Sequence, residues 1–191
     1  MEALLLHPTS TAQWHALVAE AQSKTTRHLD EELESYLVFL LMRFTSKPEL
    51  ASSIMALQFL EGALEIGRVR QEKLRDVGDQ CLLYSGLFPK RAERRRVEIS
   101  YFVDIGRSAY RELSNCSIKS ASEMYAHLSD GFVALMDVLQ SMRDLGTQQA
   151  RLSPLDAFSL WRNTGSQHAE QTLRGYSKGT LVMTDTDDEM H

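Results

Sequence analysis

The sequence predicts an all-α protein, a single helical-bundle-like domain of six to eight helices. Three observations predict it. Apolar residues recur at spacings of three and four in segment after segment, the period of one helix face. Helix start signals precede these segments and glycines follow them. The clearest alternating run, Val97-Glu98-Ile99, is too short to establish a strand.

The elements follow in order. Ser10 to Gln13 reads as a capping box ahead of Trp14, Leu17, Val18 and Ala21. Asp30 caps a second helix, whose Glu31, Glu32 and Glu34 suit the positive end of the helix dipole. Its face is Leu33, Tyr36, Leu37, Leu40, Leu41 and Phe44. Val38, Phe39 and Met42 make it apolar on most sides, which predicts the central, most buried helix. Ser46-Lys47-Pro48-Glu49 opens a third, carrying Leu50, Ile54, Leu57 and Leu60.

Gly62 and Gly67 interrupt that helix, and a new one is predicted from about Arg68 to Ser85. On its stripe Gly78, Cys81 and Ser85 are small enough to let a neighbouring helix come close. Gly86 suits the left-handed position that ends a helix, with Leu87 or Phe88 making the contact after it and Pro89 preventing continuation. After a charged link, Ser100 caps a helix with Phe102, Ile105, Ala109 and Leu113 facing inward. Asp104, Arg107, Ser108 and Arg111 lie on its other side.

Ser120-Ala121-Ser122-Glu123 is a capping box for the most regular helix. Its stripe is Met124, Leu128, Phe132, Leu135, Leu139 and Met142, and Gly146 stops it. That stripe belongs in a bundle core or in the seam of a homodimer. Ser153-Pro154 with Asp156 opens a helix closed by Asn163-Thr164-Gly165. A turn or two more runs from Ser166 to Leu173. The helical domain is thus placed at residues 1–175. Residues 176–191, ending in Asp185, Asp187, Asp188 and Glu189, read as a flexible acidic tail.

Composition narrows the function classes. The chain has 191 residues, 43% hydrophobic and 25% charged, with a formal net charge of −5. That is enough to build one core without disulfides or metal, and its acidic balance argues against bulk nucleic-acid binding. Two cysteines, Cys81 and Cys116, make no disulfide framework, and Cys81 on an apolar stripe reads as a buried thiol. The N-terminus has no secretory signal, and the run from Tyr36 to Met42 is too short to span a bilayer. A cytoplasmic protein is expected, with no membrane contact.

No catalytic motif is visible. The six histidines form no HxxxH or Glu-x-x-His pair, and no zinc spacing, P-loop or nucleophile elbow is present, so no cofactor or metal is expected. Glu123 and His127 lie four apart and read as an exposed pair. The candidate polar site is Arg75, Asp79, Tyr84, Tyr101 and Asp104. Asp79 lies at the edge of a buried stripe, where a salt bridge or inter-helix hydrogen bond is the expected role. The candidate basic contact is Arg91, Arg94, Arg95 and Arg96, with Tyr101 and Phe102 nearby to stack on bases.

Four pieces carry a resemblance: Gly78-Asp79, Ser85-Gly86-Leu87-Phe88, the arginines from Arg91 to Arg96, and Gly106 to Tyr110. Together they resemble a family of uncharacterised, all-helical bacterial proteins, over roughly the middle quarter of the chain. The resemblance implies a bacterial origin and brings no catalytic residue. The Gly-Asp step is also similar to that of haem oxygenases. Here Gln80-Cys81-Leu82-Leu83 replaces their glycine-rich continuation, and His7, His15 and His28 stand in no diagnostic context.

The expectation from sequence is a non-enzymatic interaction or regulatory protein with a protein partner or a second copy of itself. The alternatives are a small-molecule-binding protein or enzyme with a pocket near Asp79, Tyr84 and Tyr101, and a nucleic-acid binder using Arg91 to Arg96. A pocket at Asp79 favours the first alternative. An exposed apolar patch on the helix after Ser120 favours the interaction reading.

Overall fold

The structure, a computed structural model, describes residues 9–25, 28–46, 65–89, 97–146 and 152–184, with side chains described as far as Ser177. Among the described residues there are eight helices and no strand, so the protein is an all-α helical domain. The helices are α1 (Ser10–Lys24), α2 (Glu31–Ser46), α3 (Gly67–Leu87), α4 (Ile99–Cys116), α5 (Lys119–Asp130), α6 (Phe132–Gly146), α7 (Pro154–Thr164) and α8 (Gln167–Thr184). The helix expected after Ser46 lies outside the described residues. No described helix is long and apolar enough to cross a membrane.

Several ends are set by the predicted local chemistry. Asp30 Oδ1 accepts from the Leu33 amide at 3.0 Å and caps α2. Ser153 Oγ accepts from the Asp156 amide at 3.2 Å, with Pro154 as the first residue of α7. Gly165 ends α7 in the left-handed region at φ 70°, a conformation that costs a residue with a Cβ. Gly67, at φ 61°, begins α3 close to the predicted start.

Four end signals work differently. Thr9, one residue before the expected box, caps α1 by accepting from the Ala12 amide. Ser100 lies inside α4, which starts at Ile99 after Glu98, and Ser120 lies inside α5, which starts at Lys119 after Ile118. Neither start has a side-chain cap. Gly86 is not left-handed: it is buried within α3, which continues to Leu87. Its lack of a side chain serves packing instead, because a Cβ there would overlap Leu139 of α6.

The core is built around α3. Every residue from Val77 to Gly86 is buried, which a single amphipathic stripe does not achieve. Small residues allow it. Gly78 lies against the Tyr110 ring of α4, where a Cβ would stand 2.5 Å from Cε1. Gly106 of α4 lies against Phe132 of α6 and Cys81 of α3. The three helices α3, α4 and α6 thereby meet closely, and Leu82, Leu113, Leu135 and Val138 on them are buried. The helix expected at the centre, α2, is instead peripheral. It packs on α1 and α5, and Phe39 is 66% exposed. Its apolar face is broad, but it is α3, with apolar and small residues combined, that is enclosed, together with α6 from Leu135 to Ser141.

The helix expected from Ser120 to Gly146 is divided. Gly131, at φ −81° and ψ 0°, separates α5 from α6. Leu33 of α2 packs against this break, where a Cβ on Gly131 would meet its Cδ1 at 2.6 Å. The stripe itself is core: Leu128, Phe132, Leu135 and Leu139 are buried, so it offers no open seam. Helix α8 runs to Thr184, past the expected end at Leu173 and into the segment read as a tail. It is joined to the body at its start by Asp137, a buried acid of α6. Asp137 accepts from Ser166 Oγ at 2.5 Å and from the Gln167 amide at 3.0 Å, a favourable place for an acid at a helix N-terminus.

Candidate functional site

Asp79 is the centre of the main polar cluster. It is 2% exposed on the central helix, where an isolated carboxylate would be costly. Its oxygens are therefore engaged. Tyr36 of α2 and Tyr110 of α4 both donate to Oδ1, at 2.6 and 2.8 Å, and Arg43 of α2 donates to Oδ2 at 2.7 Å. Arg43 also donates to Asp76 at 2.5 Å. One carboxylate thus ties three helices together.

Burial pushes the Asp79 carboxyl above its usual range, against the opposing pull of Arg43 and the two phenols. Burial also drives the Tyr36 and Tyr110 hydroxyls well above theirs, and the neighbouring carboxylate adds to this. Both phenols therefore remain protonated donors at neutral pH. The rings support the arrangement: Tyr110 meets Tyr36 edge-on at 6.2 Å and stacks with Tyr125 of α5 at 6.4 Å.

Two surface pockets adjoin the cluster. One, of about 280 Å³, is lined by Tyr36, Phe39, Leu40, Arg43 and Asp79, together with Arg75 and Tyr125. The other, of about 340 Å³, lies between α3, the end of α4 and the start of α5. Leu113, Ile118 and Ala121 line it with Gln71 and Ser117, and so again do Arg75 and Tyr125. Arg75 and Tyr125 thus form a shared boundary. The Tyr125 hydroxyl is raised above its ordinary value by burial, against the influence of Arg75.

The sequence-predicted residues divide. Asp79 and Arg75 come together at the pocket, although Arg75 approaches Asp76 (3.7 Å) and it is Arg43 that bonds Asp79. Tyr84 is buried elsewhere on α3 and packs on Phe102 at 5.6 Å. Tyr101 and Asp104 are exposed on α4 and line neither pocket. Arg91, Arg94, Arg95 and Arg96 lie outside the described residues. Sequence reasoning missed Tyr36, Arg43, Tyr110 and Tyr125. A signal existed for two of them: Tyr36 and Arg43 are seven residues apart and so share a face of α2, at either end of its apolar run.

Other reactive groups are committed to structure. Burial raises the Cys81 thiol far above its ordinary range, and neither cysteine forms a disulfide. The Gly78-Asp79 step is filled by the protein's own Tyr110 ring. His127 pairs with Asp30 and Glu32 of α2, each at 2.9 Å, and not with Glu123. Among the described residues no group of three or more His, Cys, Asp or Glu is placed to hold a metal ion. The chain matches no family model, no curated protein and no solved structure at a significant level.

Proposed function

We propose that the protein is a non-enzymatic, cytoplasmic binding protein that takes a small molecule between α2, α3 and α5. The observation that carries this reading is the pair of pockets, about 340 and 280 Å³, on either side of Arg75 and Tyr125. Each is near the lower end of the sizes that ligand sites take, and each combines apolar walls with a few polar groups. The state of Asp79 supports a binding role over a catalytic one, because its oxygens hold helices together. The rigid junction of α3, α4 and α6 gives the groove a fixed wall.

The test is to fill the groove. Arg75 lines both pockets and its side chain is 39% exposed, so Arg75→Trp fills the groove at their shared boundary without entering the core. A fragment set of mixed charge, followed by ligand-observed NMR, should give hits on the wild type that the plugged variant loses. Hits that survive in the plugged variant at equal strength would contradict the reading.

A second reading, self-association or contact with a protein partner, is supported by α7. Leu155 is 77% exposed and Phe158 45%, with Trp161 beside them, while Ala157 and Leu160 anchor the opposite face. A cluster of large apolar side chains on one short helix is the kind of surface that a second chain covers.

A further inference from the structure

The groove contains three arginines, and their commitments differ. Arg43 is held by Asp79 and Asp76, at 2.7 and 2.5 Å. Arg68 is held by Glu72 at 2.9 Å. Arg75 approaches only one carboxylate oxygen, Asp76 Oδ1, at 3.7 Å, and Arg43 already occupies that oxygen. The Arg75 Nε is buried and has no hydrogen-bond partner. A guanidinium carries five donors in a fixed planar fork, and its two terminal nitrogens together match a carboxylate. The Nε is closed to solvent, but the Arg75 side chain is 39% exposed, so the terminal nitrogens are what a ligand acceptor meets.

The surroundings specify the rest of the molecule. Tyr125 lines both pockets with Arg75, and its ring is fixed by stacking on Tyr110. On the α2 side Leu40 forms an apolar wall, and Phe39, 66% exposed, stands at the rim. An isolated large aromatic at a pocket mouth is the side chain that a bound apolar group would cover. The acids of the groove, Asp79 and Glu72, and the adjacent Asp76 already have arginine partners. A cationic ligand therefore finds no unpaired acid among these residues, whereas an anion finds Arg75.

We infer that the groove binds a small organic monocarboxylate with an aromatic or alkyl body, its carboxylate on Arg75 and its apolar part between Tyr125 and Phe39. This rests on the small-molecule reading above and adds the chemical class of the ligand.

The experiment uses the full chain and three probes with one phenylbutyl body: 4-phenylbutyrate, 4-phenylbutanol and 4-phenylbutylamine. Binding is followed by titration calorimetry and by the ring proton shifts of Tyr125 and Phe39. The carboxylate should bind with a dissociation constant of about 0.1–1 mM, as its size allows, and shift both rings. The alcohol and the amine should bind at least about tenfold more weakly, as should the carboxylate to Arg75→Gln, because a charge-assisted hydrogen bond has been removed. Arg75→Lys should recover part of the loss, since it keeps the charge without the planar fork. Should the Gln variant misfold, the Lys variant and the probe series still decide the question. Equal binding of the alcohol, or undiminished carboxylate binding by both Arg75 variants, would overturn the carboxylate inference and leave the groove as a binding site. Failure of all three probes to shift Tyr125 or Phe39 would overturn the inference, while the plugged-variant fragment screen separately decides whether the groove binds anything.

Discussion

Gly106→Ala isolates the close approach at the centre of the fold. Gly106 lies within α4, so alanine keeps the helical backbone and gains about 1 kcal/mol of helix propensity. The new Cβ, however, would stand 2.5 Å from two atoms of the Phe132 ring and 2.8 Å from Cys81 Cβ. Phe132 is fully buried, and a Cβ cannot swing aside without its backbone, so α3 or α6 must move. Overpacking of this kind costs about 1–3 kcal/mol, and two rigid neighbours place this case at the upper end. The net loss should be about 2 kcal/mol, or roughly 4–8 °C in Tm for a domain of this size. Urea unfolding with an unchanged slope would measure it. Gly175→Ala provides the control: that glycine lies inside α8 with nothing within 4 Å of its added Cβ. Propensity alone then operates, and the variant should be stabilised by up to about 1 kcal/mol. If Gly106→Ala stabilised the protein as much as Gly175→Ala, the packing argument for the three-helix junction would be wrong.

Three further outcomes are expected. Asp79→Ala, which leaves Arg43 and two phenols without their acceptor, should cost about 3 kcal/mol in urea unfolding, the low end for a broken buried pair because Arg43 is 30% exposed. Asp79→Asn should cost less, since its amide oxygen still accepts from the phenols, and a loss as large as that of alanine would refute the role of the Oδ1 bonds. For His127, the hydrogen bond to Glu32 raises the pKa above the ordinary 6.5 against the opposing effect of desolvation, and the charge of Asp30 adds to the rise. Because the folded value is the higher one, this stabilisation is present below pH 6.5 and is lost as pH rises through the folded pKa. The Tm advantage of wild type over His127→Gln should therefore be larger at about pH 5.5 than at about pH 8.5, and a gap that grows with pH would contradict the pairing. If α7 is a self-association face, Phe158→Ser should shift the mass measured by light scattering toward the monomer while leaving Tm nearly unchanged. A wild type that is monomeric at high concentration would remove that reading.

The sequence singled out Asp79 but not most of the residues that bond it. Asp79 was recognisable as an acid at the edge of an apolar stripe, and its role in an inter-helix bond followed from the cost of burying it. Its partners did not follow. Arg75 is four residues away on the same helix, yet the direct ion pair is made by Arg43, thirty-six residues away in the chain. Tyr84 shares α3 with Asp79 but packs on Phe102 in another part of the core. The pocket was anticipated near Asp79, but its Tyr125 wall comes from α5, whose position depends on the break at Gly131.

What the sequence determined by itself was local: that the described chain is helical, that Asp30 and Ser153 cap α2 and α7, that Gly165 ends α7, and that Cys81 is buried. These outcomes depend on backbone hydrogen bonds and side chains within about one turn, together with apolar periodicity. The tertiary structure decided which helix is enclosed and which is peripheral, why Gly86 is a glycine, where the helix after Ser120 divides, and which arginine neutralises Asp79. Two helices can carry equally apolar faces, but α3, whose small residues admit close neighbours, is enclosed where α2 is not. That selection depends on the shapes of segments distant in the chain, so no local window of the sequence contains it.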